Sequence, residues 1–340
     1  MKSTYNKVMD DLRGKSLKEL LNIFAQLQLP QYKAKETFRQ IHHGLKGTID
    51  QISILKKEER ALLAEKYQLD QPQVIKHQHE GETEKIAFKL SDNLVIESVL
   101  MQYEGERNTV CVSSQVGCPV ACQFCATGQM GFKRNLTVGE ILSQIYYFAT
   151  KHKISNVVFM GMGEPLLNYK NVMKAIGILN QELGQNIAKR KIVISTIGIT
   201  EGIKKLMTET GQLRLAWSLV ASFDHLRKEL IGMKNLPSIS SIVRAIHDYQ
   251  QKTKRRVTIE YVLLKGINDG PEAINELAEI TRKIDSHVNI IPYNEVAGGR
   301  FSSGDAERIY EKLKRRRVNV TTRQSLGKKI SAACGQLTTK

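Results

Sequence analysis

Two hydrophobic periods divide this chain. Up to about residue 80 the apolar positions recur at helical spacing, and beyond about residue 83 they recur at strand spacing. In the first stretch Ser16-Leu-Lys-Glu19 reads as a capping box ahead of Leu20, Leu21, Ile23 and Phe24. Pro30 opens a second helix with Ala34, Phe38 and Ile41 along one face. Strand-like runs then follow at Lys85–Lys89, Leu94–Met101 and Thr109–Val112.

After residue 125 strand and helix alternate. Apolar runs recur at Val157–Met160, Ile192–Ile194, Leu213–Val220, Val257–Leu264, Val288–Ile291 and Val318–Val320, with helical segments between them. One helix, capped by Thr137 with Glu140, carries Val138, Ile141, Leu142, Ile145 and Phe148 on one face. Such alternation predicts an α/β fold of parallel strands with helices outside. About six units fall short of the eight in a closed barrel, so a partial (β/α)6 barrel is expected. In barrels of this kind the active site gathers at the C-terminal ends of the strands. No internal repeat or low-complexity linker interrupts the plan.

Composition narrows the class. With 340 residues, 41% of them apolar, the chain can bury one large domain plus an accessory piece. Five cysteines in that length are no disulfide scaffold. There is no signal-type apolar core at the start, and no apolar run nears the roughly 18 residues of a membrane span, so a cytoplasmic protein without a membrane partner is expected. A formal charge of +17 and a pI near 9.6 suit a polyanion, most simply nucleic acid. The charge clusters late, at Lys252-Thr-Lys254-Arg255-Arg256, Lys312-Leu-Lys314-Arg315-Arg316-Arg317 and Lys328-Lys329. Taken singly, such a run is more often a solvated helix face; their sum carries the inference.

The chemistry concentrates at Cys118-Pro-Val-Ala-Cys122-Gln-Phe-Cys125. Three thiols at C-x3-C-x2-C spacing come without a fourth, whereas an iron–sulfur cube normally takes four. A cube held by three leaves one iron open for chemistry. A zinc knot with Cys111 or a remote His is the alternative, but no second C-x2-C or H-x3-H pair lies nearby. The spacing, with an aromatic directly before the third cysteine, resembles the signature of the radical S-adenosylmethionine (SAM) enzymes. That resemblance implies a [4Fe-4S] cluster on Cys118, Cys122 and Cys125, and SAM on the open iron.

Further segments narrow the likeness. Cys111-Val-Ser-Ser-Gln-Val-Gly-Cys118, Gly128–Thr137, Gly161-Met-Gly-Glu-Pro165, Ile194-Ser-Thr-Ile-Gly198, Ile291-Pro-Tyr-Asn294 and Ala332-Ala-Cys-Gly-Gln-Leu337 together resemble the RlmN/Cfr family. The likeness runs in order from about residue 80 to the end, with a weaker helical match before it. The family methylates an adenine ring carbon of large-subunit ribosomal RNA. The resemblance implies a helical accessory, RNA-binding domain over 1–80, a radical SAM barrel with an N-terminal strand extension over 81–310, and a last strand with a catalytic cysteine loop over 311–340. It also implies a monomer served by an electron donor such as flavodoxin or ferredoxin. Transfer RNA is a further possible substrate.

Residue by residue, the resemblance makes Gly163 and Glu164 contacts of the methionine part of SAM, where an ordinary βα turn is the bland alternative. Ser195 matches another SAM contact and Asn294 a ribose-binding position; alone they would read as a helix cap and a turn residue. Cys334 is implied as the methyl carrier, because a ring carbon that is electrophilic resists simple displacement and calls for covalent catalysis. Cys111 would release the RNA adduct by forming a disulfide with Cys334. Glu97, interrupting an apolar strand, is the base for rearomatisation; an exposed position on an edge strand is its alternative.

The chain departs from the family where Ser218-Leu219-Val220-Ala221-Ser222 stands for Ser-Leu-His-Ala-Pro. SAM contacts at Ser218, Leu219 and Val220 survive if they are made by backbone. Gly232-Met-Lys-Asn235 and Lys328-Lys329 depart as well, which implies a divergent paralogue. Neither C2 versus C8 of adenine nor ribosomal versus transfer RNA is decided. The alternatives are a radical SAM enzyme acting on another RNA or non-RNA substrate, and a non-enzymatic RNA-binding protein with a structural metal.

Overall fold

The computed structural model describes residues 9–69, 71–105, 107–296 and 298–339. Residues 1–8 of the expected accessory region and Glu106 lie outside them. In chain order the strands are β1 (Asp10–Asp11), β2 (Tyr67–Gln68), β3 (Gln73–Glu80), β4 (Thr83–Lys89), β5 (Val95–Tyr103), β6 (Arg107–Cys111) and β7 (Gln115–Gly117). After them come β8 (Phe132–Asn135), β9 (Asn156–Phe159), β10 (Ile192–Thr196), β11 (Arg214–Ser218), β12 (Val257–Leu263), β13 (Ser286–Pro292) and β14 (Val320–Thr322).

One sheet holds β14-β13-β12-β11-β10-β9-β6-β5-β4-β3 in that order. From β6 to β14 every pairing is parallel. From β6 back to β3 every pairing is antiparallel. The six strands β6 and β9–β13 form the expected partial barrel, with β14 beyond them and the β3–β5 meander as the N-terminal extension. Their buried positions are mostly apolar, with Val, Ile and Leu the commonest, as strands covered on both faces require. Helices Val138–Ala149, Tyr169–Leu179, Thr200–Leu206, Ile239–Thr253, Pro271–Arg282 and Ala306–Arg315 bring the chain back between strands, the first packing on the second, the third on the fourth and the fifth on the sixth.

Both expected capping boxes are present, with Glu19 N–H on Ser16 Oγ at 3.3 Å and Glu140 N–H on Thr137 Oγ1 at 3.2 Å. The N-terminal helices share one apolar core with the barrel, through Leu20, Phe24, Phe38 and Ile41. Buried His42 meets Tyr146 Oη at 2.7 Å, and burial lowers its pKa to about 3, so it is a neutral core imidazole.

The large sheet starts at Gln73 rather than near residue 83, and a short parallel pair, β1 with β2, lies before it. β3 is an edge strand exposed on both faces, so its side chains show no alternation to read. The hairpin of β7 and β8 around the cysteine loop was likewise not expected. Past β14 the chain crosses to the antiparallel side of the sheet. There Lys329 N–H donates to Glu80 (2.8 Å), Lys85 Nζ donates to the Ser331 carbonyl (3.3 Å), and Thr338 N–H donates to Glu97 (2.9 Å).

Candidate active site

The cysteine loop leaves the C-terminal end of β6 and is pinned at its base by the β7–β8 hairpin. Gly117, at φ +72°, lets the hairpin arms close: a Cβ there would stand 1.7 Å from the Gly131 carbonyl oxygen. Cys118 N–H then bonds that carbonyl at 3.2 Å, and Gly232 N–H bonds Ala121 O, also at 3.2 Å. Cys118, Cys122 and Cys125 line one cavity of about 180 Å³.

Burial pushes the Cys118 thiol up to about 12 and raises Cys122 and Cys125 too, and each is raised further by a neighbouring thiol. Three thiolates in so apolar a nest are tenable only around a strongly cationic centre. Among the described residues no three His, Cys, Asp or Glu side chains are arranged to hold a metal ion. A cube is different, since each thiolate takes its own iron. The donor set fits such a cluster.

The opposite wall of the cavity is built from strand ends. Gly161–Pro165 follows β9, and Gly163 has φ +98° with Gln115 Cβ only 2.5 Å from where its own Cβ would be. That approach lets Gln115 Oε1 accept from Glu164 N–H at 2.8 Å. The Glu164 carboxylate accepts from Leu166 N–H (3.0 Å) and Ile197 N–H (2.9 Å), yet burial raises its pKa to about 7. It caps the turn that follows and is at the same time a buried acceptor on the cavity wall.

Ser195 lies inside β10 rather than capping a helix, and its Oγ meets Ser218 Oγ at 3.1 Å across the β10–β11 pair. Both serines line the cavity, as does Val220. Leu219 does not; its amide bonds the Glu260 carbonyl at 3.1 Å and its carbonyl accepts from Arg227 Nε at 3.1 Å. Val220 sits at φ +68°, a conformation that β-branched residues rarely adopt. Its carbonyl is held by Asn268 Nδ2 at 2.7 Å. Such strain persists only where the surroundings enforce it.

The C-terminal loop forms the lid. Ala126 N–H bonds the Gly335 carbonyl (2.8 Å), Thr127 Oγ1 bonds the Leu337 carbonyl (2.7 Å), and Asn294 Nδ2 bonds the Cys334 carbonyl (3.2 Å). Cys334 thereby lines the cluster cavity and also an adjoining cavity of about 80 Å³ that contains Cys111, Asn294 and Arg323. All five cysteines are free thiols. Burial pushes Cys111 up to about 12, and the nearby Cys334 adds to it. Asn294 Oδ1 is buried without a partner among the described residues, an acceptor aimed at no protein group.

Glu97 lies on interior strand β5 and is buried, which excludes the exposed edge position. It lines neither cavity. Lys85 on β4 pairs with it at 2.9 Å, and together they bracket the Cys334 loop through Ser331 and Thr338. Sequence reasoning missed Lys85, Arg323 and Glu260. Arg323, just beyond β14, is held in its charged form by Cys334 and lies 4.0 Å from Glu260, which accepts from Asn289 at 2.8 Å. The place of Arg323 just beyond the C-terminal end of β14 is the signal that could have found it, since sites of such barrels gather at strand C-termini.

Three comparisons bear on this site. The Radical SAM superfamily model matches residues 112–279. A protein of Nitrosopumilus maritimus named "Ribosomal RNA large subunit methyltransferase N" is 40% identical, over 97% of this chain and 99% of its own. One of Thermotoga neapolitana named "Probable dual-specificity RNA methyltransferase RlmN" is 41% identical, over 98% of both. The crystal structure of a radical SAM methyltransferase from Sphaerobacter thermophilus superposes with a TM-score of 0.92 at 39% identity, covering 98% of this chain and 100% of that one.

Proposed function

For a chain that belongs to the RlmN family of radical SAM methyltransferases, we propose methylation of an adenine ring carbon in RNA through a methylated Cys334. Large-subunit ribosomal RNA is the first substrate and transfer RNA the second, with C2 as the target and C8 as the alternative. The observation that carries this reading is the placement of Cys334, far from the cluster motif in sequence, in one cavity with Cys118, Cys122 and Cys125 and in the next with Cys111. Neither a structural metal nor a radical enzyme without a carrier thiol calls for that convergence.

The family's cofactors are a [4Fe-4S] cluster and SAM, which when bound supply an electron and a 5′-deoxyadenosyl radical. Cys118, Cys122 and Cys125 would hold the cluster. Gly163, Glu164, Ser195, Ser218 and Val220 line the side of the cavity where SAM would lie, and Asn294 Oδ1 is free to accept from a ribose hydroxyl. Leu219 would act by its backbone, holding β11 against Glu260. A hydroxyl and a strained backbone at Ser218 and Val220 need no imidazole, so the exchange of His for Val is compatible with SAM binding.

Cys334 would take a methyl group as its thiolate attacks the SAM methyl carbon, releasing S-adenosylhomocysteine. Arg323 lines both of the cavities that Cys334 lines. After the carbon joins adenine, the Cys111 thiolate would attack the Cys334 sulfur; the sulfur–carbon bond breaks, the carbon keeps the electron pair and takes a proton as the methyl group of the RNA, and the disulfide remains. Glu97 would accept the adenine proton once the lid loop that brackets it moves. The helices over 1–80 would contact RNA beyond the target loop, and a flavodoxin or ferredoxin would supply electrons.

The test is mass mapping of methylated adenines in RNA from cells with and without this gene. Loss of one methyladenine, restored by wild type and not by Cys334→Ala, is expected. An unchanged RNA methylation profile would exclude the proposal.

A further inference from the structure

Two of the three late basic runs, 252–256 and 312–317, lie away from the cavity mouth. Helices Ile239–Thr253, Pro271–Arg282 and Ala306–Arg315 end just before β12, β13 and β14 begin. Helices and strands alternate in direction, so these three helix C-termini meet the three strand N-termini at the end of the barrel away from the active site. Arg256 precedes β12, whose Val262 lines the catalytic cavity; six residues of strand place the two about 20 Å apart.

At that far end a concavity of about 500 Å³ is lined by Arg256, Arg282, Arg316 and Arg317, with Asp285 as its one acidic residue. Arg256 Nε bonds Asp285 at 3.0 Å, Arg282 bonds Glu279, and Arg316 bonds Asn275 and the Lys312 carbonyl. The Arg317 guanidinium has no partner among the described residues, and Ser286 Oγ, also on the concavity, is buried without one. Lys254 and Arg317 end their helices at φ +55° and +60°, where glycine is the favoured residue.

Cations at helix C-termini gain from the helix dipole, but that effect is local to each helix and does not prefer arginine to lysine. Four arginines brought together from three chain segments form a phosphate-type site, because the planar guanidinium binds phosphate oxygens in pairs. We propose that this concavity is a second RNA contact, gripping backbone phosphates of the substrate well away from the target adenine. It rests on RNA being the substrate. A folded RNA long enough to wrap the barrel reaches both sites; a short hairpin reaches only the mouth.

The test uses full-length holoprotein and two fluorescent probes, a short hairpin and a long folded transcript of large-subunit ribosomal RNA, titrated across salt concentrations. Arg256→Gln, Arg282→Gln, Arg316→Gln and Arg317→Gln are combined, with iron content and melting temperature checking the fold. If the combination fails to fold, the 256/282 and 316/317 pairs replace it. Affinity for the long transcript should fall roughly tenfold or more, and its log–log salt slope should flatten by about 1 per lost contact. Hairpin affinity should not change.

Wild-type affinity and slope for the long transcript would overturn the site, as would an equal loss for both probes. A loss of binding only to anionic lipid vesicles or acidic peptides would assign the surface to another partner and overturn it too. Wild-type protein that binds neither RNA would instead refute the substrate reading beneath it.

Discussion

The buried Lys85–Glu97 pair is a clamp on the Cys334 loop, and Lys85→Met should release it. Both side chains are 6% exposed and 2.9 Å apart. In the variant the Lys85 bond to Ser331 is lost, and Glu97 keeps only the Thr338 N–H, as a buried carboxylate without its counter-charge. Breaking a buried pair by removing one partner costs about 3–5 kcal/mol. The strained party is the terminal segment, which opens more readily than the barrel. At about 1.4 kcal/mol per decade, the lower figure raises the open population roughly a hundredfold. The assay is timed alkylation of anaerobic holoprotein, reading Cys334 by mass spectrometry with Cys111 as the internal reference. Cys334 should label roughly a hundredfold faster while Cys111 stays slow. The double variant Lys85→Met/Glu97→Leu should return most of the way, since exchanging both partners for apolar groups is close to neutral. Labelling within twofold of wild type would refute the clamp, and so would equal acceleration of Cys111, which would mean loss of the whole fold.

Other consequences follow from single residues. Cys122→Ala should abolish iron binding and SAM cleavage, read as iron content and 5′-deoxyadenosine yield, because only three thiols hold the cluster. Glu164 has its pKa raised from 4.5 to about 7, so the folded state binds the extra proton between those values; cluster-free wild type should lose about 3 kcal/mol of stability from pH 4.5 to 7, and Glu164→Gln should remove that fall in denaturant titrations. Gly163→Ala, at φ +98° and 2.5 Å from Gln115 Cβ, should destabilise by about 1–3 kcal/mol and weaken SAM binding measured by calorimetry.

Much of the fold was legible because β9–β13 are apolar runs of strand length separated by amphipathic helices, a pattern that only a covered parallel sheet uses. Thr137 with Glu140 and Ser16 with Glu19 marked helix starts through local chemistry alone. β3 was illegible because both its faces meet solvent, and β7–β8 because Phe132-Lys-Arg-Asn135 is short and polar. At the site, Ser195, Ser218 and Asn294 were selected by resemblance, since a polar residue near a strand end reads by itself as a cap or a turn. Leu219 does not line the cavity that Ser218 and Val220 line, so a part for it falls to its backbone. Lys85 and Glu260 were missed because a charge on a strand usually marks the solvent face, and here each is buried by the terminal segment or by Arg323 and Asn289. That segment's path back to β4 and β5 is set by tertiary contacts with residues more than 200 positions away.

The account stands most directly on one comparison, Cys111→Ala beside Cys334→Ala, assayed with RNA under anaerobic turnover. The Cys111 variant can still load Cys334 and join it to adenine but lacks the thiol that releases the product. It should accumulate protein covalently bound to RNA, seen on a denaturing gel as a slow band that nuclease collapses. Cys334→Ala should form neither the adduct nor methylated RNA. Normal turnover by Cys111→Ala without trapped RNA, or methylation of RNA by Cys334→Ala, would contradict the two-thiol mechanism.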